Sequence, residues 1–335
     1  MRNWHIINHP RLFSKPLLQS LVPLAERRGV PASRLFKSTS LTTTTDWQLS
    51  NHRISLKDWF QVVHNAERFV QDPQVWPLVA QTIIHERLSP LAELALQAPH
   101  LFDVLKQLQH YHQLIQPLEF GVARGHEGML DIYFLPSCGA VATSSILSVS
   151  ILLTIAQQRG LAIHQWQLKL PASLNPLPQW SRWFENISEG AFVSVRIPQA
   201  QLFQPLPHEP DYYRQAQAFC RMQHREAKTP SALTHTLRWS YRCLQQQQQL
   251  SIHNLAVHMQ LSVSSCKRML AQHQSSFQQC VDTMRLFRMV ELLQQQPYNN
   301  SQLAAQLGYS NSNNLRRACK RWLGENPARL REILT

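Results

Sequence analysis

The sequence predicts a mixed α+β region over the first two thirds of the chain and an all-α region over the last third. Composition shifts near residue 230: positions 1–230 hold 18 of the 20 prolines and 21 basic against 16 acidic residues, whereas 231–335 hold two prolines and 12 basic against 4 acidic, a net +8. Before that point helical apolar spacing is interleaved with strand-like alternation; after it the spacing is helical. In the last third, a pattern of two short helices also recurs 48 residues on, either side of one long helical stretch.

In chain order, helix-like apolar spacing covers Pro16 to Arg28, Leu56 to Val70, Val75 to Arg87 and Leu101 to His112. Met129 to Leu135 (MLDIYFL) and Ala191 to Ile197 (AFVSVRI) carry the aromatic and β-branched alternation of strands. Before the first of them, Arg124-Gly-His-Glu-Gly128 lacks the Lys-Ser/Thr of a phosphate loop, so it reads as a hairpin turn. Pro205, Pro207 and Pro210 then break regular structure ahead of one short helical run, and Thr229-Pro230 breaks it again. We therefore read 204–231 as a Pro-rich linker between domains 1–230 and 231–335. Gln245 to Gln249 reads as the solvated end of a helix.

The last third reads as two helix-turn-helix motifs, at 252–272 and 301–322. In the first, Ile252, Leu255, Ala256 and Met259 make a buried stripe behind a Ser251 cap. A second helix opens at Ser262, with Cys266, Met269 and Leu270 inside and Ser264, Lys267, Arg268 and Ala271 outside, beside Ser265. Leu255-Ala256, Met259 and Ser262 recur as Leu303-Ala304, Leu307 and Ser310, and one extra residue in the second turn aligns Lys267-Arg268 with Arg316-Arg317. There Leu315, Ala318, Cys319 and Trp322 form the inner stripe, and Asn313, Arg316, Arg317 and Lys320 the outer face, with Ser312 and Asn314 beside it. Gly308 suits the end of the preceding helix. A major groove about 12 Å wide admits one such helix. Between the copies Phe277 to Gln296 contains no Gly or Pro, and Pro297 stops it. At about 1.5 Å per residue this strut spans roughly 30 Å, near the roughly 34 Å of one DNA turn. The spacing predicts a monomer that enters two adjacent groove segments of double-stranded DNA. Arg reads guanine in bidentate fashion and Asn313 or Asn314 adenine, while Lys320 and Arg321 touch phosphate.

These residues resemble a known family. LAVHMQLSVSSCKRML, Ser276-Phe277, Arg285, LAAQLGYS, KRWLG and ENPARLR together are similar to the C-terminal signature of AraC/XylS transcription regulators, over about the last hundred residues. PLLQSLVPLAERRGVPASRLF and DWFQVVHNAERFVQDP resemble the N-terminal domain of the subgroup similar to ornithine-utilisation regulators. The resemblance implies that the outer-face residues contact bases and phosphates, that 1–230 senses a small-molecule effector and forms a homodimer, and that activation follows from presenting the protein to RNA polymerase. Ser264 stands where many relatives place Arg, Gln274 where the family turns with Gly, and Leu315 and Cys319 where aromatic residues are usual.

Composition bounds the other readings. A formal charge of +13 attracts polyanions. No apolar run approaches the roughly 20 residues of a membrane span; Ile146 to Ala156 is too short and is interrupted by Ser148, Ser150 and Thr154. The first residues lack a secretory apolar core, so a cytoplasmic location and no membrane partner are expected. The six cysteines form no CxxC pair and read as core thiols. There is no HExxH, and His110 and His112 lack a third spaced ligand, so neither metal nor cofactor is expected. No nucleophile elbow appears, so no catalysis is expected. The rivals are an enzyme with its site in 1–230 and a basic localising tail, and a sequence-blind nucleic-acid binder. Trp166, Trp180, Trp183 and Phe184 are candidate effector-pocket aromatics, although core packing accounts for most such residues.

Overall fold

The computed structural model describes residues 10–43, 52–116, 122–126, 128–134, 142–171, 180–182, 184–190, 193–226, 232–273, 275–295, 298–323 and 326–334. It begins with a short antiparallel ribbon, β1 (Pro10–Phe13) on β2 (Arg53–Ser55), and the helices α1 (Ser14–Glu26), α2 (Ala32–Leu35), α3 (Leu56–Val70), α4 (Val75–His85), α5 (Pro90–Leu96) and α6 (Leu101–Tyr111). Local chemistry sets their ends. Ser55 caps α3 by accepting from the Asp58 backbone N–H at 3.0 Å, and Gln71 closes it in the left-handed region at φ 50°. Ser89 caps α5, where Pro90 takes the first turn at no cost in hydrogen bonds. Burial raises the Asp58 carboxyl, but hydrogen bonds from Ser55 and from the backbone and hydroxyl of Ser40 outweigh it and hold the group below its ordinary range.

A five-stranded sheet follows, in the order β3 (Val122–His126), β4 (Met129–Phe134), β7 (Val193–Pro198), β5 (Gln167–Leu170) and β6 (Asn186–Glu189). All neighbours are antiparallel except β5 and β6. β3 and β4 form a hairpin, as expected, with His126 opposite Met129 and Gly128 at φ 76°, but Arg124, Gly125 and His126, read as part of the turn, are the end of strand β3. Ile132, Phe134, Leu168, Leu170, Val193, Val195 and Ile197 point into the core. Their neighbours along each strand point to the other face by the two-residue period, and there Arg196 grips Asp131 through Nε at 2.7 Å and Nη2 at 3.1 Å. Burial, and then Arg196, lower the nearby Lys169 amine, while Asp131 opposes them. Tyr133, on this second face, is buried with Leu286, Met289 and Val290 of the C-terminal region.

α7 (Ala142–Gln158) lies between α4 and strands β4 and β7. Its Leu147, Val149, Ile151, Leu152, Leu153 and Ile155 are all buried, so the apolar run 146–156 is a core helix. No helix among the described residues is long and apolar enough to cross a membrane. After α8 (Gln199–Leu202), Pro210 opens rather than breaks a helix, α9 (Pro210–Glu226), which corrects the reading of 204–231 as a linker with one short helical run. α9 packs on the N-terminal core through Ala216 and Cys220, and Tyr213 Oη accepts from Gln107 Nε2 at 3.0 Å. The elements of this region that the sequence reading missed are β1, α2, β2, α5, β3, α7, β5, β6 and α8.

The C-terminal region is wholly helical among its described residues: α10 (Ala232–Gln245), α11 (Ile252–Met259), α12 (Val263–Gln272), α13 (Phe277–Gln295), α14 (Asn300–Gln306), α15 (Ser312–Leu323) and α16 (Pro327–Leu334). It has two cores. Leu255, Ala256, Met259, Cys266, Leu270 and Cys280 centre the first, with Trp239 and Cys243 of α10. Met289, Val290, Leu303, Leu307, Leu315, Cys319 and Leu330 centre the second. All five described cysteines are buried thiols; Cys138 lies outside the described residues.

Candidate nucleic-acid interface

The first unit is α11, a tight turn and α12. Ser251 caps α11 by accepting from the Asn254 N–H at 3.1 Å, and Gln260 ends it at φ 57°. Two residues later Ser262 caps α12, accepting from the Ser265 N–H at 3.1 Å and hydrogen-bonding the Ser265 hydroxyl at 2.9 Å. With Cys266 and Leu270 buried and Met269 half-buried, helical geometry turns Ser264, Lys267, Arg268 and Ala271 outward, and all four are exposed. On the far side, His258 and His235 of α10 bring their Nε2 atoms to 3.0 Å, and His258 stacks on Trp239.

The second unit repeats the arrangement. Asn299 and Gln302 form a capping box at the start of α14, and Gly308 ends that helix at φ 69°. The longer turn then places Asn311, not Ser310, as the cap of α15, accepting from the Asn314 N–H at 2.9 Å. The first helices of the two units are thus 48 residues apart and the second helices 49. Cys266 and Leu270 correspond to the buried Leu315 and Cys319, and Ser264, Lys267, Arg268 and Ala271 to the exposed Asn313, Arg316, Arg317 and Lys320.

Apart from Arg321, ten residues are expected from the sequence to touch DNA. Seven, Ser264, Lys267, Arg268, Asn313, Arg316, Arg317 and Lys320, stand exposed on two matching outer faces. Ser265, Ser312 and Asn314 are half-buried at the helix starts, where Asn314 Nδ2 donates to Ser310 Oγ at 3.0 Å. None of the five cationic members takes part in an ion pair among the described residues. Arg321, which was expected at phosphate, instead donates to Asp282 Oδ2 of α13 at 2.8 Å. Sequence reasoning missed that pairing, and it also missed the role of Arg285, which donates to the carbonyls of Leu307 at 3.0 Å and Gly308 at 3.3 Å and lies 4.2 Å from the Tyr309 ring centroid. Asp282 and Arg285 are three residues apart and so share one face of α13, but their partners lie 22 to 39 residues away, and no local signal in the sequence names them.

Of the aromatic candidates for an effector pocket, Trp166, Trp180 and Phe184 are buried in the N-terminal core, Trp166 donating to Gln201 Oε1 at 2.9 Å; Trp183 lies outside the described residues.

Residues 255–333 match the family model described as a helix-turn-helix domain. No curated protein matches the chain. Among solved structures, the transcriptional regulator CdpR from Pseudomonas aeruginosa is similar at 15% identity, over 88% of this chain and 99% of that one, with a TM-score of 0.34. A DNA-binding transcriptional dual regulator from Escherichia coli K-12 is similar at 17% identity, over 32% of this chain and 95% of that one, with a TM-score of 0.30. The family match spans both units and the strut between them, and the C-terminal part of this chain is a helix-turn-helix domain of the AraC type.

Proposed function

We propose that this DNA-binding transcriptional regulator lays α12 and α15 into two successive major-groove segments on one face of a duplex. The observation that carries this reading is the 49-residue register, which puts unpaired cations and amide or hydroxyl groups on the same outer positions of both second helices. Arg268, Arg316 and Arg317 have the planar fork that grips guanine O6 and N7, and Asn313 has the donor and acceptor pair that fits adenine. Ser264 reads more permissively, because a hydroxyl donates and accepts. Lys267 and Lys320 contact phosphate, and Ser265, Ser312 and Asn314 approach the backbone at helix starts, where exposed N–H groups favour anions. The 19 residues of α13 span roughly 28 Å at about 1.5 Å each, close to one groove repeat of roughly 34 Å.

Residues 1–230 act in this reading as the effector-sensing and dimerising domain, and 231–335 as the DNA-binding domain. A small molecule bound to the first shifts the arrangement of the second between two states, and the DNA-bound protein works as an activator through RNA polymerase, in the cytoplasm. The deciding experiment selects duplexes from a random pool with the full chain and maps the protected backbone. Two protected segments about one turn apart on one face, with discrimination on the order of 10³ over unselected duplex, are expected. Equal affinity for selected and unselected duplex at fixed salt overturns the reading.

A further inference from the structure

The two units are held to the rest of the domain by different means. α12 is joined to α13 by only residues 273–276, and its unit packs on α10 and α13 through apolar side chains such as Leu270, Cys280 and Trp239. α15 reaches α13 only after the chain has turned back through α14. There α13 presents two polar side chains one turn apart, on one face. Asp282 pairs with Arg321 on the flank of α15, and Arg285 grips the carbonyls of Leu307 and Gly308, where α14 ends and the turn begins. One helix therefore holds both the turn before the second reading helix and that helix itself.

We propose that Asp282 and Arg285 are positioning residues that set the roll and tilt of α15 relative to α12, and thereby the half-site separation that the protein accepts; this rests on the two-groove reading above. Apolar burial is non-directional, so a helix held only by a stripe such as Leu315, Ala318 and Cys319 can roll through a small angle at little cost. Hydrogen bonds to charged groups are directional. Arg321 lies four residues beyond Arg317, at the border of the exposed face, so its bond to Asp282 fixes how far the Arg317 side of the helix turns outward. The Arg285 fork fixes the direction in which the turn delivers α15. The Arg321 side chain is 56% exposed, so the pair adds little stability, and its loss alters geometry more than folding.

The test uses the full chain. Wild type, D282N, R285K and the swapped pair D282R/R321D are each used to select duplexes from a pool with randomised half-sites and randomised spacing, and amide exchange over α14 and α15 reports folding. Wild type is expected to enrich one separation. D282N and R285K are expected to lose about tenfold in discrimination against separations one base pair longer or shorter, which corresponds to about 1.4 kcal/mol. R285K keeps the charge but not the two-carbonyl fork, and the swapped pair is expected to regain the wild-type preference, a recovery that a merely stabilising role would not produce. Where R285K loses amide protection, D282N and the swapped pair decide. A wild type with no preferred separation overturns the two-groove reading and this inference with it. A wild type with a sharp preference that D282N retains, or that the swapped pair does not regain, overturns the positioning role alone.

Discussion

Gln260 and Gly308 hold the same left-handed backbone conformation, φ 57° and φ 69°, at corresponding positions 48 residues apart. Each closes the first helix of its unit with the same pair of hydrogen bonds. The N–H groups of Gln260 and Leu261 reach the carbonyls of Val257 and Ala256, and those of Gly308 and Tyr309 reach Ala305 and Ala304. This is the two-bond helix ending that favours glycine. A side chain in this region costs about 1 kcal/mol or more, so only the first unit carries that strain.

Replacing Gln260 with glycine is expected to stabilise the first unit by about 0.5 kcal/mol, because the relief of strain outweighs the greater freedom of glycine in the unfolded chain. The reverse change, Gly308→Gln, is expected to cost about 1 kcal/mol through the backbone alone, since an added Cβ would meet nothing nearer than Arg285 Nη2 at 3.8 Å. Urea titration of both variants measures the pair, and a destabilised Gln260→Gly would contradict the account.

Ser262 and Asn311 fill the same capping role on the two reading helices. Ser262→Ala and Asn311→Ala are each expected to cost about 1 kcal/mol. The loss should be local: amide exchange should rise first at the start of α12 in one variant and of α15 in the other. Ser310→Ala, one residue before the second cap, removes the acceptor of the Asn314 and Asn311 side-chain amides but no backbone cap, and should cost less than Asn311→Ala.

His273 supplies a pH dependence. It is 2% exposed, at the end of α12, and both ring nitrogens lack a hydrogen-bond partner among the described residues. Burial pushes its pKa down from 6.5 to about 4. The unfolded chain therefore binds a proton between pH 6.5 and about 4 that the folded chain refuses. Stability is complete above pH 6.5 and falls as the pH drops toward 4, by roughly 3 kcal/mol in total. Chemical denaturation at pH 7, 5.5 and 4 should show this slope, and His273→Leu should flatten it.

How much could be read in the sequence followed from how local each signal was. The two units, Gly308, the Ser251 and Ser262 caps and the hairpin before Met129 are encoded within a few residues, so spacing and turn chemistry exposed them. α7 is buried on every side, its Ser148, Ser150 and Thr154 included, which erases the amphipathic period by which a helix is recognised, and its 146–156 run stood out only as a candidate span. β5 and β6 have four residues each, too few to show alternation. Pro210 read as a breaker because proline carries the same local signal in a loop and in the first turn of a helix. Asp282 and Arg321 are 39 residues apart, and Arg285 meets Gly308 across 23, so these contacts exist only once α14 has folded back.

The outer faces give the final prediction, which separates base reading from phosphate contact. Each neutralised phosphate releases counterions, so removing one phosphate-contacting cation lowers the slope of log affinity against log salt by about 0.9. Lys320→Ala is expected to weaken binding to all duplexes alike and to reduce the slope by about that amount. Arg317→Ala is expected to cost about 1 to 3 kcal/mol on the selected duplex and much less on a duplex altered at the base it reads. Arg321→Ala is the comparison, because its guanidinium is committed to Asp282 rather than to phosphate: its half-site preference should change, but its salt slope on the selected duplex should match wild type. The three slopes, measured on one selected duplex between 50 and 200 mM salt, rank these side chains by what they touch. A reduced slope for Arg321→Ala would move that residue from the strut to the DNA.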